Sequence, residues 1–187
     1  MAADLLPAKL KREPLVDAVF EVRFSPSIPG SNVIPGILFG RLPKPLNLER
    51  LPAADIPAFI RDSNPMLHSQ PLMRTHWGER FSILIGDTNV ALGCKMPYVG
   101  WRGDQGFKAH IVQLFGYLAE AGFIQSIERY SLKYTGVIEG KDLAEQIDRI
   151  KIDLQLGSYS LMAEPFPFAW KYRKMVFCML SSWVRQL

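Results

Sequence analysis

Apolar and polar residues alternate through the opening stretch PLVDAVFEVRFSP (14–26). Successive side chains of a strand point to opposite faces, so this pattern predicts a β-strand with one buried and one solvated face. Pro14 and Pro26 bracket the strand, because proline cannot donate to a sheet ladder. The predicted buried face carries Val16, Ala18, Phe20, Val22 and Phe24, and the solvated face carries Asp17, Glu21 and Arg23.

The same alternation predicts further strands. FSILIGDTNVALGCKM (81–96) has two alternating runs about a short Gly-Asp-Thr-Asn turn, which is typical of a β-hairpin. ERYSLKYTGVI (128–138) repeats the pattern of the opening strand, and KIDLQL (151–156) predicts a short strand after it. If these strands form one sheet, one layer should contain Phe20, Ile83, Leu92 and Leu132.

Helical spacing appears between the predicted strands. FKAHIVQLFGYLAEAG (107–122) predicts the main helix, which ends at Gly122. Nine of the 14 prolines lie between residues 26 and 71, where we predict two short helices capped by Ser31 or Asn32 and by Asp55. KDLAEQIDRI (141–150) predicts another short helix. This order of elements predicts an α+β fold, an antiparallel or mixed β-sheet with helices packed on one face.

Size and composition favour one globular domain, which we place at residues 1–163. Of the 187 residues, 48% are hydrophobic and 21% are charged. No stretch approaches the roughly 20 apolar residues of a membrane-spanning helix, and the first residues lack a secretory signal pattern. We therefore expect a cytoplasmic protein. Cys94 and Cys178 are the only cysteines, and we expect both to be buried free thiols.

Residues 164–187 differ in composition from the rest of the chain. This segment holds six of the 21 aromatic residues and carries +3 of the net charge of +4. We interpret it as an atypical basic aromatic tail produced by truncation or a change of reading frame. A membrane-touching tail is less favoured because MVFCMLSSWV lacks a clear amphipathic pattern. The nearly neutral remainder argues against nucleic acid, which requires a basic stripe on a folded surface.

Several motifs occur in an order that resembles a sporadically distributed family of uncharacterised bacterial proteins. The resemblance covers about residues 10–160 and implies no catalytic residue, cofactor or substrate. The family's sporadic distribution suggests a link to mobile or defence gene clusters. Its members continue with further strand and helix where this chain has its atypical tail. The matching pieces are PLVDAVFEVRF (14–24), IPGILFGRL (34–42), LPAADIPAFIRDSNP (51–65), ILIGDTNVALGC (83–94), PYVGWRGDQGFKAHI (97–111) and ERYSLKYTG (128–136).

Residues with catalytic potential show no recognisable pattern. His68, His76 and His110 lack the spacing of zinc ligands, so we predict neither a metal site nor a cofactor, and we expect His110 at the surface or an edge. Nucleophile-elbow, phosphate-loop and dinucleotide motifs are missing. Asp17 and Glu21 would lie about 13 Å apart on one strand face, too far for a glycosidase pair.

Two groups of residues are candidates for binding. Glu21, Arg23, Arg129 and Lys133 come together if the two long strands pair; we favour a solvated sheet surface with weak ion pairs, and a ligand or partner surface is the alternative. We interpret Tyr98 and Trp101 as rings that close the end of the core, with stacking on a nucleobase or other ring as the alternative.

These observations favour a non-enzymatic binding or interaction module. Its partner would be a protein or a small molecule, and the sequence leaves the oligomeric state open, a homo-oligomer included. The alternative is an enzyme or nucleotide-binding domain whose site is assembled from dispersed polar residues on the sheet face. A deep polar pocket containing Arg23, Arg129 and Lys133 would favour that alternative.

Overall fold

A computed structural model describes residues 15–138, 140, 141 and 145, together with short strand segments nearer the C-terminus. Three helices are described, α1 (Gly30–Arg41), α2 (Ala58–Ser63) and α3 (Phe107–Glu120), and a 3₁₀ turn covers Pro52–Asp55. The strands are β1 (Leu15–Pro26), β2 (Leu48–Arg50), β3 (Met73–Trp77), β4 (Phe81–Ile85), β5 (Asn89–Lys95), β6 (Ile124–Ile138), β7 (Gln155–Leu156), β8 (Tyr159–Ser160) and β9 (Met175–Ser181).

Seven strands form one sheet in the order β2-β3-β4-β5-β1-β6-β9, and every neighbouring pair is antiparallel. The predicted α+β fold with an antiparallel sheet is confirmed. The predicted shared layer is also present, because the register pairs Ile83 with Leu92, Leu92 with Phe20, and Phe20 with Leu132. β7 and β8 form a separate two-stranded ladder.

The core lies between one face of this sheet and the helices α1 and α3. Ile34 and Leu38 of α1 and Phe107, Leu114 and Leu118 of α3 are fully buried. They pack in one cluster with Ala18, Val22, Phe24, Ile83, Ile85, Val90, Leu92 and Cys94 from the strands. Burial of each large apolar side chain contributes about 1.5–3 kcal/mol, so this cluster fixes which face of the sheet the helices cover.

The proline-rich segment forms the two predicted helices, but their predicted caps are wrong. Pro29 precedes α1 and Pro57 precedes α2, and no side chain of the described residues caps either helix. Proline fixes φ near the helical value and lacks an N–H, so it suits the start of a helix. The hydroxyl of Ser31 bonds instead to Asp87, and Asp55 ends the preceding 3₁₀ turn.

A strand forms at residues 73–77, where the sequence patterns predicted no regular element. β3 pairs with both β2 and β4, so it lies inside the sheet. Its sequence does alternate, with Met73, Thr75 and Trp77 on one side, but the central core position is a threonine that is fully buried. The polar residue at that position interrupts the alternation of apolar residues from which a strand is recognised.

Some expectations concern residues near the C-terminus. Of the helix predicted at 141–150, only residues 141 and 145 are described, so this prediction lies largely outside the described residues. The side chain of Cys178 also lies outside them, whereas Cys94 is buried as expected. Within the predicted tail, β9 pairs with β6 from Leu132↔Ser181 to Ile138↔Met175. The domain boundary at residue 163 stays a prediction. None of the helices in the described part of the chain has the length and apolar character needed to cross a bilayer.

Candidate functional site

The second face of the sheet, opposite the core, carries the charged side chains of β1. Partners in an antiparallel register point to the same face, so β5 and β6 extend this surface on either side of β1. The second face comprises Asp17, Val19, Glu21 and Arg23 in β1, Asn89, Ala91, Gly93 and Lys95 in β5, Arg129, Ser131, Lys133 and Thr135 in β6, and Ser82, Leu84 and Arg74 in β4 and β3.

Glu21 is the centre of a polar cluster on the second face. Its Oε1 accepts a hydrogen bond from Arg23 Nε at 3.0 Å and another from Asn89 Nδ2 at 3.4 Å. A terminal nitrogen of Arg129 lies 3.9 Å from Glu21 Oε2, within ion-pair range but too far for a hydrogen bond. The structure therefore brings together three of the four charged residues proposed from the sequence. We call Glu21, Arg23, Asn89 and Arg129 the Glu21 cluster.

Strand geometry explains this convergence. Glu21 and Arg23 are two positions apart on β1, so both point to the second face about 7 Å from each other. Arg23 lies directly opposite Arg129 in the register of β1 and β6. Two like charges therefore face each other across neighbouring strands, and the carboxylate of Glu21 lies beside both.

Sequence reasoning missed Asn89, which is only 3% exposed. It was assigned to the hairpin turn, but it is the first residue of β5 and pairs with Arg23. Its amide nitrogen donates to Glu21, whereas its Oδ1 is buried with no hydrogen-bond partner among the described residues. Asn89 therefore positions the carboxylate from below the surface.

Lys133 shares the second face but not the Glu21 cluster. In the register it lies opposite Val19, four positions along β6 from Arg129. Its charge acts on Asp17: burial raises the pKa of this carboxyl, while a backbone hydrogen bond at Ala18 and the positive charge of Lys133 oppose the rise. The charged residues thus form two separate groups along the strands.

The two aromatic candidates lie on the helix-covered side. The hydroxyls of Tyr98 and Tyr134 are hydrogen-bonded at 3.1 Å, and the Tyr98 ring meets Phe107 edge-on. Trp101 is 38% exposed and makes an edge contact with Phe107, the first residue of α3. Tyr98 packs against the core cluster, whereas Trp101 is exposed, and neither ring joins the Glu21 cluster.

The histidines show no arrangement suited to metal binding. His68 and His76 are exposed. His110 is half-buried: its ring stacks on Phe81 with centroids 4.0 Å apart, and its Nδ1 lies 3.0 Å from the carbonyl of Gly106. In the part of the chain that the structure describes, no three His, Cys, Asp or Glu side chains are grouped as metal ligands.

A second polar cluster, also missed from the sequence, surrounds the tip of the β4–β5 hairpin. Asp87 Oδ2 accepts from Arg61 of α2 at 2.8 Å, and its Oδ1 accepts from the hydroxyl of Ser31 at the start of α1. Arg61 also donates to the carbonyl of Ile56. The side chains of Arg61 and Asp87 are only 11% and 23% exposed. The only signal in the sequence was the Gly-Asp turn itself.

An open groove of about 270 Å³ lies between α1 and α3, lined by residues such as Gly36, Gly40 and Tyr117. An ion pair between Arg41 and Glu120, 2.7 Å apart, lies along it. None of the six binding residues proposed from the sequence lines this groove. Its position separates it from the Glu21 cluster, which lies on the opposite face of the sheet.

Comparison of the chain with protein-family models, with curated proteins and with solved structures finds no match. The family resemblance drawn from the motifs therefore stays a prediction. In the Glu21 cluster, the carboxylate accepts from the guanidinium of Arg23 and from the buried amide of Asn89, and the guanidinium of Arg129 lies in ion-pair range of the same carboxylate.

Proposed function

We propose that the protein is a cytoplasmic binding or interaction module that engages its partner, a protein or a small molecule, through the second face of the sheet. The Glu21 cluster carries this proposal, because it places two guanidinium groups and a carboxylate side by side on that face. The helices that complete the core pack on the other face. The chain's two cysteines are too few for the disulfide framework of a small secreted domain, which favours the cytoplasm.

The composition of the second face supports a role in recognition. Its middle is apolar or small, with Val19 and Leu84 half-buried and Ala91 only 5% exposed. Charged residues lie around this strip, with the Glu21 cluster on one side and Lys133 with Asp17 on the other. An apolar centre with a polar rim is the usual anatomy of a protein interface.

The spacing of the charged groups favours a binding surface over an assembled catalytic pocket. Arg23 and Arg129 meet at Glu21, but Lys133 lies four strand positions from Arg129, about 13 Å away. The three cations therefore do not converge on one small substrate. The mixture of acidic and basic groups also weakens the case for nucleic acid, whose backbone selects a positive stripe.

Substitution at the centre of the second face tests this proposal. Immobilised wild-type protein is incubated with bacterial cytoplasmic extract, and the retained proteins and small molecules are identified by mass spectrometry. Val19→Glu places a charge in the apolar strip, whereas Val112→Glu changes a residue that is 62% exposed on α3. We expect Val112→Glu to retain the wild-type partner and Val19→Glu to lose it.

Circular dichroism must show that both variants are folded. If Val19→Glu retains the partner as well as the wild type does, the second face is not the binding surface. If only Val112→Glu loses the partner, the helices carry the interaction instead.

A further inference from the structure

The Glu21 cluster has one more positive than negative charge. Among the described residues, Glu21 is the one carboxylate within 4.0 Å of either Arg23 or Arg129. The same face provides an internal comparison at Arg74. Its guanidinium makes three hydrogen bonds of 2.7–3.0 Å to Glu49. One carboxylate therefore balances the charge of one arginine at that position.

Most donors of Arg23 and Arg129 have no protein partner in the described part of the chain. A guanidinium carries five N–H groups. Arg23 uses its Nε–H for Glu21, and Arg129 lies beyond hydrogen-bond distance from the same carboxylate. Their side chains are 36% and 47% exposed, so the remaining donors are accessible from solvent.

The register makes these two guanidinium groups neighbours. Like charges directly opposite each other on adjacent strands repel and destabilise the pairing. A bound anion between the two side chains would offset this repulsion. Arginine is suited to that role because its planar fork of donors matches the oxygens of a phosphate or carboxylate.

We propose that Arg23 and Arg129 bind a phosphate group of the ligand, an inference that rests on the proposed use of the second face. A phosphate presents enough oxygens to accept from both forks at once, whereas a carboxylate presents only two. Glu21 and Asn89 are positioning residues: Asn89 orients the carboxylate of Glu21, and Glu21 orients Arg23 through its Nε–H.

Titration with inorganic phosphate tests the assignment. The purified full chain is titrated at low ionic strength by isothermal titration calorimetry, with chloride at matched ionic strength as the reference. We expect saturable binding of one phosphate. Arg23→Gln and Arg129→Gln should each weaken it by roughly tenfold or more, because each removes charge-assisted hydrogen bonds. Glu21→Gln should tighten binding, since it removes the negative charge beside the anion.

Arg74→Gln is the matched control, because Arg74 lies on the same face but is engaged by Glu49. It should leave phosphate affinity unchanged. Thermal unfolding checks that every variant is folded, and if Arg23→Gln fails to fold, the more exposed Arg129→Gln carries the comparison.

Three results would overturn the proposal: no saturable binding of phosphate, an equal loss of affinity in Arg74→Gln, or tighter binding of acetate than of phosphate. None of them bears on the partner captured through the second face. If Val19→Glu loses the partner while phosphate fails to bind, the phosphate site is wrong and the proposed function stands. If phosphate binds as expected while Val19→Glu keeps the partner, the phosphate site stands and the proposed function is wrong.

Discussion

The guanidinium of Arg61 in α2 lies 2.8 Å from the carboxylate of Asp87 at the tip of the β4–β5 hairpin. The same carboxylate accepts from Ser31, and the backbone N–H of Gly30 donates to the carbonyl of Asp87 at 2.8 Å. Through Asp87, the β4–β5 turn therefore forms hydrogen bonds with the first residues of α1 and with the middle of α2. These contacts hold the proline-rich segment against the end of the sheet.

Removing the charge of Asp87 should destabilise the fold. Asp87→Asn leaves the largely buried guanidinium of Arg61 without its counterion, and we expect the free energy of unfolding to fall by about 1–3 kcal/mol. Urea denaturation measures the change. Asp55→Asn is the control, because its ion pair with Arg50 is 70–78% exposed and should contribute about 0–1 kcal/mol. Equal losses in both variants would contradict a stabilising role for the Arg61–Asp87 pair.

Two glycines should respond in opposite directions to alanine. A Cβ at Gly86 would lie 1.9 Å from Asn89 Oδ1 and 3.0 Å from the carbonyl of Gln70, so Gly86→Ala should destabilise by about 1–3 kcal/mol. At Gly36 in α1, a Cβ would meet no atom of the described residues within 4 Å. Gly36→Ala should stabilise by about 0.5–1 kcal/mol, because alanine loses less backbone entropy in a helix. Chemical denaturation of both variants measures whether the free energy of unfolding falls for Gly86→Ala and rises for Gly36→Ala.

Local patterns were sufficient to predict the main framework. Alternation identified β1, the β4–β5 hairpin and β6, since each strand has one apolar face that must be buried. Helical spacing located α3, and Gly122 ends it with φ +67°, a conformation that glycine adopts without strain. The grouping of Glu21, Arg23 and Arg129 also followed, because it depends only on the pairing of two recognised strands.

The remaining features depend on contacts between distant parts of the chain. Asn89 looked like a turn residue, and only the register places its amide beside Glu21. Asp87 and Arg61 are 26 positions apart, so neither residue alone indicates an ion pair. β3 went unrecognised because the buried position between Met73 and Trp77 is Thr75. Tertiary packing outweighed local preference in each of these cases.

The pKa of Asp17 predicts how stability depends on pH. Burial raises this pKa above its usual value of 3.8, so the folded state favours the protonated form more than the unfolded state does. Stability contributed by the neutral carboxyl is therefore present below pH 3.8 and is lost as pH rises through the folded pKa. Asp17→Asn removes this penalty.

The variant should match the wild type near pH 3 and be more stable at pH 7. Urea denaturation of both proteins at the two pH values measures the difference directly. Because other groups titrate equally in both proteins, their contributions cancel. A variant that is less stable than the wild type at pH 7 would show that attraction between Asp17 and Lys133 outweighs the cost of burial.

Thr75 should limit the stability of the sheet, because its hydroxyl is buried and no residue in the described part of the chain forms a hydrogen bond with it. Thr75→Val keeps the shape of the side chain and removes the unsatisfied group, so we expect stabilisation by about 1–2 kcal/mol. Thr88→Val is the control: the Thr88 hydroxyl donates to the carbonyl of His68 at 3.2 Å, and its loss should destabilise by about 0.5–1.5 kcal/mol. Thermal unfolding shows whether each variant is more or less stable than the wild type. A less stable Thr75→Val would mean that the hydroxyl has a hydrogen-bond partner in solution.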